Sequence, residues 1–170
     1  MKQKIKEIRI GIALVGVFVL FAVLFLMKRN SIYSMNTDFR ERGYAVFQMK
    51  ENNCGPIALK MIFDQYNIPS SLPEIETRTN VNDMGASMLD LKEMAESKGL
   101  HAEGWRLSLD DLLKAKFPLI LFVNGDHYIV ADSIRSDTLY VRDPSLGKLK
   151  LQMNKLSEKW KGESLIFRKK

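Results

Sequence analysis

The chain has 170 residues, a formal net charge of +6 and one cysteine, which suits one domain of ordinary size and excludes an internal disulfide framework. Residues 1–30 hold six cations (Lys2, Lys4, Lys6, Arg9, Lys28, Arg29) against one acid, Glu7, a balance of +5. Residues 31–170 hold twenty cations and nineteen acids, so the basic excess flanks one hydrophobic segment and a nucleic-acid partner is not indicated.

That segment, Ile10 to Met27, is an apolar run of eighteen residues bounded by Arg9 and Lys28. At about 1.5 Å per residue it approaches the roughly 30 Å of a bilayer core and predicts a transmembrane helix. It exceeds the hydrophobic region of a signal peptide, and the Leu-Met-Lys-Arg-Asn that ends it offers no small-residue cleavage site. Residues 1–29 therefore read as an uncleaved N-terminal anchor, 30–44 as a polar tether and 45–170 as the folded domain. Cations nearly balance across the anchor. The denser cluster on the short tail leans to an N-inside orientation, with the domain outside the cytoplasm.

Ala45-Val46-Phe47 is expected to form a short strand delivering Gln48. The lone cysteine, Cys54, stands just before an expected helix, with Pro56 suited to its first turn and Ile57, Met61 and Ile62 at helical spacing. A sulfur there faces the positive end of the helix dipole, which favours thiolate. Gly55 is read as letting the backbone turn and a substrate approach. Asn67-Ile68-Pro69 is expected to end the helix, because Pro disfavours a helical conformation in the residue before it. A helical turn around Glu74 to Arg78 precedes a second helix, capped by Ser87 with Asp90 three residues on and stopped by Gly99. Leu91, Met94 and Ala95 form its core face.

Leu100 to Leu107 predicts a strand, and Ser108 caps a short helix over Leu109 to Lys116. From Phe117 the pattern is β. Pro118 to Val123 suits a strand buried on both faces. Asn124-Gly125 predicts a two-residue turn, and Asp126 to Asp132 the returning strand. Ile134 to Thr138 is a second turn and Leu139 to Arg142 a strand, followed by Asp143-Pro144. Ser145 to Gly147 turns again and Lys148 to Gln152 reads as an outer strand. A helix around Trp160, over Asn154 to Lys161, and a strand over Ser164 to Phe167 close the chain. Helices first and antiparallel strands after make an α+β fold.

A cysteine nucleophile needs a base, and the base an orienting partner. Of the two histidines, His101 reads as a surface residue. His127 sits at the head of a buried strand beyond a tight turn, where it can be held against the Cys54 helix, and is the better base. Gln48 carries an amide able to support an oxyanion beside the sulfur. Among the acids near His127, Asp126 and Asp132 lie an odd number of residues away, on the opposite face of a regular strand. Asp137 reads as a turn residue. Asp143 shares the face of His127 if the intervening turn has an odd number of residues, and takes the wrong face if it has two. Parity alone leaves Asp143 open.

Gln48-x5-Cys54-Gly55-Pro56, Gly85-Ala86-Ser87, Pro118-Leu-Ile-Leu, His127-Tyr128-Ile129-Val130 and Asp143-Pro144-Ser-Leu-Gly147 occur in one order. This series resembles the papain-like domain of bacteriocin-exporting ABC transporters, the double-glycine leader peptidases, over Val46 to Phe167. The resemblance implies a papain-like fold, with Cys54 as nucleophile, His127 as general base, Asp143 as its orienter and Gln48 as oxyanion donor. It implies a peptide substrate with a leader sequence, cleaved after a Gly-Gly-type site, and no cofactor or metal. Asn53 departs from the family, which usually carries Asp there. No multi-span domain or P-loop occurs in these residues, so any coupling to an export transporter is expected in trans. A leader-binding module without catalysis and a Cys/His/Asp acyltransferase are the alternatives.

Overall fold

The computed structural model describes residues 52–169. The expected anchor, tether and first strand, and Gln48 itself, lie outside them. Among the described residues no helix is long and apolar enough to cross a membrane.

Helix α1 spans Cys54–Tyr66, and nine of its thirteen residues are buried, so it is a central helix rather than a surface one. Asn67 ends it, in the left-handed conformation at φ 57°. The amide of Ile68 then donates to Phe63 O at 2.8 Å and caps the last turn. Pro69 lies beyond this stop and does not cause it. Helix α2 (Leu72–Arg78) starts at Ser71, whose hydroxyl accepts from the Glu74 amide. Helix α3 (Met88–Ser97) has the expected capping box between Ser87 and Asp90 and buries Leu91, Met94 and Ala95. Strand β1 (Leu100–Arg106) follows, then helix α4 (Leu109–Lys114), with a second capping box from Ser108 to Asp111.

The remaining strands are β2 (Leu119–Val123), β3 (His127–Arg135), β4 (Thr138–Asp143), β5 (Gly147–Gln152) and β6 (Trp160–Lys169). Helix α5 (Met153–Lys159) lies between the last two. It stops before Trp160, which opens β6 instead of belonging to the helix. The strands form one six-stranded sheet in the order β1-β6-β2-β3-β4-β5, and every neighbouring pair is antiparallel. Helices α1 and α3 pack on one side of it, over Leu100, Ala102, Ile120, Tyr128, Val130, Leu165 and Phe167. Four residues of β2 are buried, as an apolar run covered on both faces requires.

Two connections differ from the sequence reading. Val123 pairs with His127, so the β2–β3 turn has three residues and Asp126 belongs to the turn rather than to the strand. The next strand runs on to Arg135, leaving only Ser136 and Asp137 as the β3–β4 turn. Ser136 meets that tight turn at φ 52°. A regular ladder beyond a two-residue turn would put Asp143 across from Val130, on the face away from His127. It does not, because the register shifts between Ala131 and Ser133. Arg135, Ile134 and Ser133 pair with Thr138, Leu139 and Tyr140, whereas Ala131 and Val130 pair with Val141 and Arg142. Asp132 is the extra residue of a β-bulge. The shifted register sets Asp143 across from Ile129, diagonal to His127 and on its face.

Candidate active site

Cys54 is the first residue of α1 and is 6% exposed. The helix begins there because Asn53, in a non-helical conformation, already accepts the Ile57 amide through its carbonyl at 3.1 Å. The Asn53 side chain does not cap. Its Nδ2 donates to Glu76 Oε1 of α2 at 2.8 Å, while Oδ1 is buried without a hydrogen bond. An Asp here would set a second carboxylate against Glu76, so the amide suits this neighbour better than the acid usual in the resembling family.

Gly55 is part of α1 rather than of a turn. A Cβ on it would lie 3.2 Å from Cδ2 of Tyr128 and 3.3 Å from Cδ1 of Leu91. The missing side chain therefore makes room for the Tyr128 ring. That ring also stacks, tilted, 4.7 Å from Phe122, and its hydroxyl donates to Ala86 O at 3.2 Å. Burial, then the charges of Cys54 and Asp90, push the Tyr128 phenol up to about 12, so it stays a neutral donor. Sequence reasoning missed Tyr128. The available signal was an aromatic residue alternating with His127 on the strand.

His127 opens β3 with its side chain 16% exposed. Its Nε2 lies 3.1 Å from Oδ2 of Asp143. Cys54 is the other group acting on this ring, and Nδ1 is the nitrogen left to face it. Burial acts against a charged imidazole. Hydrogen bonds to Asp143 and Cys54, and then their negative charges, outweigh it and raise the His127 pKa to about 10.

Asp143 is wholly buried at the end of β4. Its Oδ1 accepts the amides of Ser145 and Leu146 at 2.7 and 3.1 Å, leaving Oδ2 for His127. One carboxylate thus serves the Asp-Pro turn and the imidazole together. The structure brings Cys54, His127 and Asp143 together, the imidazole hydrogen-bonded to Asp143 and raised in pKa by both neighbours. It separates His101, which lies on β1 and pairs with Glu103, itself held by Trp105 and Arg168. Among the described residues, no three His, Cys, Asp or Glu side chains cluster as metal ligands.

Residues 42–170 match the Peptidase C39 family. The chain belongs to that family. Two curated relatives, each named probable functional amyloid protease FapD, are 29% identical over 144 residues (Pseudomonas fluorescens) and 30% over 149 residues (Pseudomonas aeruginosa). Both alignments cover 77% of this chain and 64% of the relative, so the chain spans under two thirds of their length. A solved double glycine motif protease from an AMS/PCAT transporter, in complex with its leader peptide, superposes at a TM-score of 0.72. It is 28% identical, with 76% of this chain and 96% of that one covered. The peptidase domain of Streptococcus ComA, at 20% identity and a TM-score of 0.69, shares the C39 fold, with 74% and 97% covered. The helices packed on an antiparallel sheet are thus those of a papain-like C39 domain.

Proposed function

We propose that this C39 chain is a membrane-anchored cysteine peptidase, with a peptidase domain over 45–170, that removes leader sequences from secreted peptides after a Gly-Gly-type site. The observation that carries the reading is the Cys54–His127–Asp143 relay, with the sulfur at a helix N-terminus and the carboxylate buried behind the imidazole. The Cys54 thiolate adds to the scissile carbonyl, and the resulting oxyanion is held by a backbone amide near Cys54 and by the Gln48 side chain. Imidazolium on His127 protonates the departing amine as the carbon–nitrogen bond breaks, leaving a thioester. His127, now neutral, takes a proton from water, whose oxygen attacks the thioester. The leader leaves as a carboxylic acid and Cys54 is regenerated. Asp143 keeps the ring oriented and stabilises its charged form throughout.

The anchor over Ile10 to Met27 would hold this chemistry at a membrane, beside an export transporter supplied in trans. The FapD names support a second substrate for the same chemistry, a functional amyloid protein. Incubating the 170-residue chain with Gly-Gly peptides in H₂¹⁸O, followed by mass spectrometry, tests the reading. The expected product ends in Gly-Gly-COOH carrying one ¹⁸O. Intact peptide bound reversibly would instead make the chain a leader-binding module. Product joined to an added amine, without ¹⁸O, would make it a transferase.

A further inference from the structure

Asp143 reaches His127 only because Asp132 is an extra residue in β3, and that residue is held in place. The guanidinium of Arg142 grips the Asp132 carboxylate at both oxygens, Nε to Oδ2 at 2.8 Å and Nη2 to Oδ1 at 2.6 Å. The same group crosses to α1, where Nη1 donates to Met61 O at 3.2 Å and Nη2 to Gln65 Oε1 at 2.5 Å. Its side chain is 14% exposed, too buried to be an ordinary surface ion pair. Arg142 precedes Asp143 in β4, yet points to the α1 side while Asp143 points to the His127 side. Met61 lies seven residues along α1 from Cys54, about 10 Å at 1.5 Å per residue. One planar fork thus ties together the bulge and the helix that carries the sulfur.

We propose that Arg142 is a positioning residue for this site, acting through the Asp132 bulge on Asp143 and through α1 on Cys54. The inference rests on the relay described above. A guanidinium suits the task because its donors have fixed directions. A lysine ammonium would keep the charge but not the two-pronged grip on Asp132 together with the bond to Met61 O.

Two readouts separate positioning from bulk stability. Cys54 is the only cysteine, so alkylation of the 170-residue chain by iodoacetamide reports one sulfur. His127 is one of two histidines, so its ring can be assigned and titrated by NMR. The groups facing its ring nitrogens are Asp143 and Cys54. Arg142→Met should slow alkylation at pH 7 by about tenfold, within the hundredfold that a 1 Å misplacement can cost. It should also move the His127 midpoint down from about 10, as the hydrogen bond to Asp143 loosens. The direction is diagnostic, because losing a nearby positive charge without any displacement would raise that midpoint. Arg142→Lys should fall between wild type and Arg142→Met. Adding Arg142→Met to Asp143→Ala should shift the His127 midpoint little further, since both act on that ring through one bond.

Asp132→Asn keeps an acceptor for the fork, and serves if Arg142→Met fails to fold. It should shift both readouts the same way by less. Variants that melt lower but leave the His127 midpoint and the alkylation rate unchanged would overturn the inference. Fully additive effects of Arg142→Met and Asp143→Ala on the His127 midpoint would overturn it as well. A wild-type His127 that titrates normally and ignores Asp143→Ala would overturn the relay, and the inference with it.

Discussion

The sulfur side of the site is built within one stretch of chain, whereas the imidazole–carboxylate side is built across two strands. Cys54 stands where it does because Asn53 opens α1 and Pro56 fits its first turn. Each of these signals acts within a few residues. His127 and Asp143 are sixteen residues apart, and their meeting depends on strand pairing, a two-residue turn and one bulge. Local chemistry fixes a helix start wherever the chain goes. Register has no such local signature, because a slip of one residue turns every later side chain to the other face.

The largest effect should come from the local side. Cys54→Ala is expected to abolish peptide cleavage while leaving the fold intact, with turnover read by mass spectrometry and folding by circular dichroism. Activity above the uncatalysed rate would remove the nucleophile role. Next comes the register. Deleting Val141 should bring Arg142 opposite Ala131 and Asp143 opposite Val130, on the face away from His127, and cut turnover by about 10³, approaching the loss of a catalytic member. Deleting Asp132 instead takes out the bulge but keeps Ala131 on Val141 and Val130 on Arg142, so Asp143 stays across from Ile129 and much less turnover should be lost. An equal loss from the two deletions would mean that the bulge matters for something other than parity.

Gln48→Ala should lower kcat by about 10²–10³ with KM little changed, the scale for one lost oxyanion donor. A defect confined to KM would make Gln48 a substrate contact. The charge state of the pair supplies a subtler test. Because the folded His127 pKa is raised from 6.5 to about 10, its contribution to stability is complete below pH 6.5. It is lost as pH rises through 10. Melting temperature should therefore fall between those values in wild type and fall less in Asp143→Ala. The smallest effect belongs to a cap far from the chemistry. Ser87→Ala removes one half of the α3 capping box and should cost about 1 kcal/mol of stability by urea denaturation, with no change in kcat.

What was legible in the sequence follows the same division. The start of α1, both serine caps, the doubly buried β2 and the α+β order could be read, because each depends on neighbours in the chain. The end of α1 at Asn67-Ile68-Pro69 was read correctly, but Pro69 was taken as the cause when Asn67 stops the helix, since either residue type can end one. Trp160 was placed in a helix although it opens β6, where its indole donates to Glu163 O at 3.0 Å. Parity identified the right question for Asp143. The turn length alone would have answered it wrongly, because nothing near Asp132 marks it as the extra residue. Its partner, Arg142, lies across the hairpin. Gly55 was read as serving the backbone, whereas the ring it admits, Tyr128, comes from a strand more than seventy residues later.

The division of the Asp143 carboxylate has a consequence for the conservative substitution at that position. A carboxylate accepts equally at both ends, but an amide has a polarity. The Ser145 and Leu146 amides demand an acceptor, so the oxygen of an asparagine at 143 would turn to them and its NH₂ would face His127. Nε2 would then have to accept, which forces the ring proton onto Nδ1, the nitrogen left for Cys54. In that tautomer the imidazole offers the thiol no lone pair. Asparagine would keep the turn and fix the base in its useless form, while alanine would leave the ring free to choose the useful one. The gentler change to the fold is thus the harsher one for the chemistry.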